Sequence, residues 1–227
     1  MISLLLLPLL AHSVHAEPHS LAVDFIGPIS DSAVTCLKSM NTETIIIRLW
    51  EGAKFDVDAL DNIKTTIKQG FEVKAFVTPD PNGSAIAQID TTIQTLKNNG
   101  YNFRMLWLDV TNPAHWGSNT TANAQFVLDA NNRVWSRGIL GGIRTSSAEW
   151  KTITGGIVDG LPNTPVWYSS ANGDGVANES PATFDDFVAF GPWKAAEIKR
   201  YGKEESICGL ANAGKNVYCA SETLQCS

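Results

Sequence analysis

Short apolar runs rich in β-branched residues alternate with stretches of helical periodicity through most of this chain. Residues 21–26, 44–50, 71–77, 104–108, 140–144 and 165–169 each read as a strand. Between them, Val57, Leu60, Ile63 and Ile67 recur at helical spacing, as do Ile86, Ile89, Ile93 and Leu96. A short helix carrying Cys36 is expected to be capped by Asp31 or Ser32, and a longer one to run over about residues 121–135. Ser146-Ser147-Ala148-Glu149 reads as another N-cap, with Trp150 and Ile153 on the buried side. Residues 197–201 and 216–218 add two last short strands. Alternating strand and helix marks a parallel α/β fold, and eight strands in one domain favour a closed barrel. The later helices are short, so the barrel is expected to be irregular on one side.

The strand that matters most for chemistry is the run ending Trp107-Leu108-Asp109-Val110-Thr111, stopped by Asn112-Pro113. A carboxylate at the C-terminal end of a buried parallel strand is where barrel enzymes place their reacting groups. Side chains alternate along a strand, so Asp109 and Thr111 share a face. A Glu or Asp at 111 would complete a carboxylate pair for glycosidic bond cleavage; the residue there is Thr. A closed barrel brings other strand ends to the same rim: Asp24, Glu51 and Asp80, with Trp167, Tyr168 and Tyr201. Acids among aromatic rings suit a sugar-binding groove, since rings stack on pyranose faces and carboxylates accept from hydroxyls. Of Trp167 and Tyr168 one at most faces the cleft, and Trp50, Trp107 and Trp135 are expected in the core. Neither a nucleophile motif nor a phosphate loop occurs, His115 reads as a loop residue, and no cofactor or metal is expected.

Leu4 to Leu10, broken by Pro8 and followed by Val14-His15-Ala16, reads as a secretory signal over residues 1–16, leaving one domain over 17–227. No run is long enough to span a bilayer. The formal charge of −6 argues against nucleic acid and against anionic membranes as partners. Four cysteines, Cys36, Cys208, Cys219 and Cys226, point to two disulfides in a secreted chain, with three possible pairings. Asn82, Asn119 and Asn178 head glycosylation sequons, the third weakened by Pro181.

Taken in order, Ala22-Val23-Asp24, Arg48-Leu49-Trp50-Glu51-Gly52, Trp107-Leu108-Asp109-Val110, Ile143-Arg144-Thr145-Ser146, Pro165-Val166-Trp167-Tyr168, Phe190-Gly191-Pro192-Trp193, Ile198-Lys199-Arg200-Tyr201 and Asn216-Val217-Tyr218 resemble the family-25 glycoside hydrolases. These are the Chalaropsis-type lysozymes, and the likeness is strongest to their invertebrate and amoebal branch. The resemblance implies a flattened, irregular TIM-like (β/α) barrel that cleaves the β-1,4 bond between N-acetylmuramic acid and N-acetylglucosamine in peptidoglycan. It implies catalytic roles for Asp109 and Asp24 and places Thr111 where the family has its proton-donating Glu. Glu51, Tyr168 and Tyr201 become expected substrate contacts. The family's further Asp before the last strand is missing from Ala213-Gly214-Lys215-Asn216, and its Gln-Tyr is Arg200-Tyr201.

The expectation is a secreted, extracellular, lysosomal or gut-lumen monomer for antibacterial defence or digestion, its hydrolysis weakened or lost. A non-catalytic muropeptide binder is one alternative, and a secreted signalling or effector protein with a protein partner is another. Barrel closure brings the first and last strands together, which favours Cys36–Cys208 and leaves Cys219–Cys226.

Overall fold

In the computed structural model, residues 19–219 are described; the expected signal segment and Cys226 lie outside that range. Eight strands form the barrel wall: β1 (His19–Phe25), β2 (Thr42–Gly52), β4 (Glu72–Pro79), β5 (Met105–Asp109), β6 (Leu140–Thr145), β7 (Val166–Ser169), β8 (Ile198–Ile207) and β9 (Leu210–Cys219). A two-residue strand, β3 (Lys54–Phe55), folds back on β2. Neighbours run β1-β9-β8-β7-β6-β5-β4-β2, and a parallel β1–β2 pairing closes the ring. All pairings in the wall are parallel except those of β9, which is antiparallel to both β8 and β1.

Helices α1 (Asp31–Ser39), α2 (Ala59–Lys68), α3 (Ala85–Asn98), α4 (Thr120–Ser136) and α5 (Ser147–Thr154) cover the wall through β6. After β7 the helical crossover gives way to loops and one short 3-10 turn, which is the irregular side expected from the sequence.

Two cores result. Outside the wall, Val34, Leu37, Ile63, Ile89, Val127 and Trp150 pack on outward-facing strand residues such as Ile45, Ile47, Val77 and Leu108. Inside it, Ala22, Ile46, Phe76, Trp107, Trp167, Ile198 and Tyr218 fill the barrel. Phe76 and Trp107 each meet Trp167 edge-on, with centroids 5.9 and 6.0 Å away, the geometry aromatic quadrupoles favour. This layer explains Gly142: a Cβ there would lie 2.5 Å from the Trp107 ring, which has nowhere to retreat. Gly142→Ala is therefore expected to cost about 1–3 kcal/mol through overpacking. For a domain of this size that lowers the melting temperature by roughly 2–12 °C. An unchanged melt would show that the ring has room to move.

The structure corrects several local expectations. Ser30 caps α1, its Oγ accepting from the Ala33 N–H at 3.1 Å, while Asp31 occupies the first turn, where a negative charge complements the helix dipole. In α2 the buried stripe is Ala59, Asn62, Ile63 and Thr66; Val57 precedes the helix and is 79% exposed, and Ile67 is half exposed. Asn62 takes the inward place because it accepts from the Ile29 N–H and donates to the Gly27 carbonyl, holding the β1–α1 loop. Ile86, expected on the buried face of α3, and Trp135, expected in the core, are both part-exposed. The last two strands are ten residues each, not short, and form a hairpin that rises past the barrel wall.

Cys36 of α1 is joined to Cys208 at the hairpin turn, with Cα atoms 5.6 Å apart, as barrel closure favoured. Asn82, Asn119 and Asn178 are all exposed. No described helix is long and apolar enough to cross a membrane.

Candidate functional site

The C-terminal ends of the parallel strands open into a cleft of two lobes, about 410 and 420 Å³ in volume. Thr111, Asn112, Arg144, Arg200 and Glu204 border both lobes. One lobe continues along Ser146, Glu149, Asp174 and Lys203; the other reaches Asp24, Arg48, Glu51, Thr78, Asp109 and His115. Clefts of this size are ordinary for small ligands, and the two-lobed form suits a chain-like ligand laid across the rim.

Strand geometry explains which side chains meet here. Asp109 is the last residue of β5 and stands in register with Arg144 of β6, which stands in register with Trp167 of β7. Asp24 of β1 is level with Gly214 of β9. The Asp109 carboxylate accepts from Thr111 Oγ1 on one oxygen and from Thr78 Oγ1 on the other, each at 2.9 Å. Arg144 Nε lies 3.8 Å from the same carboxylate. The chain then turns at Asn112, whose φ of 54° puts it in the left-handed region that Asn tolerates. Trp116 Nε1 donates to the Thr111 carbonyl at 3.1 Å and fixes the turn from below.

Asp24, 2% exposed, is the most enclosed acid of the cleft. Arg200 donates to it through Nε and Nη2, both at 3.1 Å, and Asn216 Nδ2 donates at 2.7 Å. Arg144 Nη2 stands 3.7 Å away. Burial alone would raise the Asp24 carboxyl, but Arg200, Arg144 and these hydrogen bonds outweigh it and hold the group below the usual Asp value. Arg144 is governed by the same balance: burial disfavours its charge, yet the carboxylates of Asp109, Asp24, Glu149 and Glu204 strengthen it. Its guanidinium rests 4.6 Å from the Trp167 ring and 5.1 Å from Phe76, so the inner aromatic layer is the floor of the cleft. Gly214 is required beside them, because a Cβ there would lie 2.2 Å from Arg200 Nε and 2.3 Å from Asp24 Oδ1.

The other rim acids are placed as follows. Glu51 forms a two-pronged pair with Arg48, both bonds 2.9 Å, and its side chain is 58% exposed. Glu149 accepts from the Asn112 N–H at 3.0 Å and from Ser146 Oγ at 2.6 Å. Glu204, on the hairpin, has left-handed backbone (φ 52°), is exposed, and its side chain makes no hydrogen bond or ion pair among the described residues. Asp80 is turned away from the cleft into its own loop, accepting from the Asn82 N–H. His115 lines one lobe with its Nε2 2.9 Å from the Pro79 carbonyl.

The structure thus brings Asp24, Asp109, Thr111 and Glu51 to one cleft, with Tyr168 only at its edge and Tyr201 outside it. Tyr168 borders the edge, yet its ring packs outward on Phe184 and Phe187 and its hydroxyl donates to Asp186 at 2.7 Å. Tyr201 packs on the outer core and lines neither lobe. Alternation is the cause: Trp167 and Arg200 take the inward places, so the residues after them face out. The groups missed from sequence are Arg144, Arg200, Thr78 and Asn216. For Arg144 the available signal was its even spacing from Gly142 on a strand beside the one that ends in Asp109. Among the described residues no cluster of three His, Cys, Asp or Glu could hold a metal ion.

Comparison with known proteins follows the same lines. A family model described as lysozyme-like protein 1 matches residues 15–201. Lysozyme-like protein 2 of Caenorhabditis elegans is 34% identical over 203 residues, covering 87% of this chain and 72% of that protein. Probable GH family 25 lysozyme 4 of Dictyostelium discoideum is 32% identical over 178 residues, covering 77% and 79%. Among solved structures, a family GH25 lysozyme from Aspergillus fumigatus superposes with a TM-score of 0.67 at 14% identity, covering 91% of this chain and 96% of its own.

Proposed function

The chain belongs to the lysozyme-like proteins of glycoside hydrolase family 25, and from that premise we propose that its cleft holds peptidoglycan or a related glycan while cleaving it slowly or not at all. The observation that carries this reading is the hydrogen bond from Thr111 to Asp109. Where the resemblance requires a proton donor, a hydroxyl donates back to the neighbouring carboxylate. A Thr hydroxyl does not ionise usefully and cannot protonate a glycosidic oxygen, a step typically worth about 10²–10⁴-fold in rate.

Four of the cleft's acids are poorly placed to substitute, and Glu204, exposed on the hairpin, is the one whose side chain makes no hydrogen bond or ion pair among the described residues. Asp109 accepts on both oxygens, Asp24 is enclosed by Arg200 and Asn216, Glu51 is forked by Arg48, and Glu149 accepts on both oxygens. What remains is a recognition surface. Arg144 and Asn112 offer donors and acceptors at the junction of the lobes, Asp109 adds an acceptor in one of them, and Arg48, Glu51, Ser146 and Lys203 extend them outward. Secretion, action outside the cell or in a lysosomal or gut lumen, and a monomeric state belong to the same proposal, supported by the apolar first segment and the cysteine pattern.

The test is co-sedimentation of the mature protein with insoluble Gram-positive cell walls, with turbidity followed in the same tube. Retention on the walls with little or no clearing is expected. Failure to sediment with walls would remove the glycan as ligand and leave the protein-partner reading.

A further inference from the structure

At the opposite end of the barrel, below the inner aromatic layer, lies a cavity of about 740 Å³ that the glycan site does not touch. Its walls come from the starts of the strands: Phe71 and Val73 around β4, Tyr101, Phe103 and Met105 leading into β5, and Leu140 of β6. These form a mostly apolar, partly aromatic wall, joined by Glu72, Lys74, Asn102 and Arg104. One of its charged groups lacks a partner. Glu197, just before β8, lines the cavity, is 8% exposed, and its Oε2 is buried without a hydrogen-bond partner among the described residues.

Its place is fixed by its backbone, whose N–H donates to the Val166 carbonyl and whose carbonyl accepts from the Cys219 N–H. The charged neighbours do not satisfy it. Lys74 is bound to Glu72 at 2.8 Å and lies 4.9 Å over the Tyr218 ring, and the Tyr218 hydroxyl is bonded to Thr44 at 2.7 Å. Arg104 stands exposed on the cavity border, and Tyr101 completes the titratable groups of that wall. An unpaired buried carboxyl is costly, and a native chain retains one mainly where something else completes it.

We propose that this cavity is a second ligand site, which takes a small organic cation: a primary amine whose ammonium binds Glu197 and whose apolar or aromatic body lies against Phe71, Tyr101, Phe103 and Met105. The ammonium supplies the donors the carboxyl lacks, and the apolar stretch of wall matches an uncharged body, with the Lys74–Glu72 pair and the exposed Arg104 left at the border. Burial, tempered by Lys74 and reinforced by Glu72, raises the Glu197 carboxyl to about 7. Amine binding should therefore strengthen as pH rises through that value and the carboxylate forms.

Titration calorimetry on the intact mature protein tests this with phenethylamine, its neutral isostere 2-phenylethanol, and the anion phenylacetate. Well above Glu197's value, phenethylamine should bind about tenfold or more tightly than the alcohol, the scale of a charge-assisted hydrogen bond. Well below it, with the amine still protonated, that preference should collapse. Glu197→Gln should remove the preference at both pH values; the wild-type pH pair gives the same information if that variant folds poorly. Equal binding of amine and alcohol would make the cavity merely apolar. Tighter binding of phenylacetate would hand it to Arg104 and Lys74. Either result, or no saturable amine binding, overturns the proposal.

Discussion

Thr111→Glu is expected to clear Gram-positive cell walls at least about 10²-fold faster than the native chain, within the usual span for general acid catalysis. The backbone at 111 already directs its side chain at Asp109, with Thr111 Oγ1 2.9 Å from Oδ1. A Glu there sets a second carboxyl beside Asp109, and two adjoining carboxylates resist simultaneous ionisation, so one retains its proton to higher pH. It also removes the hydroxyl that now occupies Asp109 Oδ1. The gained activity should follow a bell-shaped pH profile and vanish when Asp109→Asn is added. A variant that folds, sediments with walls and still does not clear them would show that more than the acid is missing. Native clearance that is abolished by Glu204→Gln would place proton donation on the hairpin and overturn the reading of Thr111.

Asp24→Asn should destabilise the fold by about 3–5 kcal/mol, the usual cost of removing one partner from a buried ion pair. For a domain of this size the corresponding fall in melting temperature is roughly 6–20 °C. Asn keeps the shape but leaves Arg200 and Arg144 facing each other with one carboxylate fewer, in a layer where Asp24 is 2% exposed. The Asp24 carboxyl is held below its ordinary value, so its contribution is complete above the unfolded value of about 3.9 and is lost as pH falls through the lower folded one. Thermal melts of the two proteins should therefore differ most near neutrality and converge below about pH 4. Equal melts at neutral pH would mean that solvation, and not the Asp24 carboxylate, offsets the charge of the two arginines.

The parts of this site that were legible in sequence are those that follow from strand periodicity. Asp24 stands within one apolar run and Asp109 at the end of another, and Thr111 shares a face with Asp109 by simple alternation. The arginines were not legible, because charge inside a barrel is unexpected from hydropathy and is tolerated only through partners far away in sequence, as with Asp24 and Arg200. Tyr168 and Tyr201 were expected as substrate contacts at the rim, with one at most of Trp167 and Tyr168 facing the cleft; the phase of their strands is set by Trp167 and Arg200. The hairpin was underestimated for a related reason. Lys203, Glu204, Glu205 and Ser206 lack an apolar alternation, and three register shifts between Arg200 and Ile207 break what pattern there is.

The edge-on rings of Phe76, Trp107 and Trp167 have a bearing on the history of the molecule as well as on its stability. They separate the charged cleft from the rest of the barrel, and the outer core is packed on the far side of the wall. A residue at the cleft that works only in chemistry, as a Glu at position 111 would, can be exchanged for a smaller one without opening a hole in either core. Catalytic power in such a scaffold can therefore drift away, or be regained, by single steps at the mouth while selection on folding registers almost nothing.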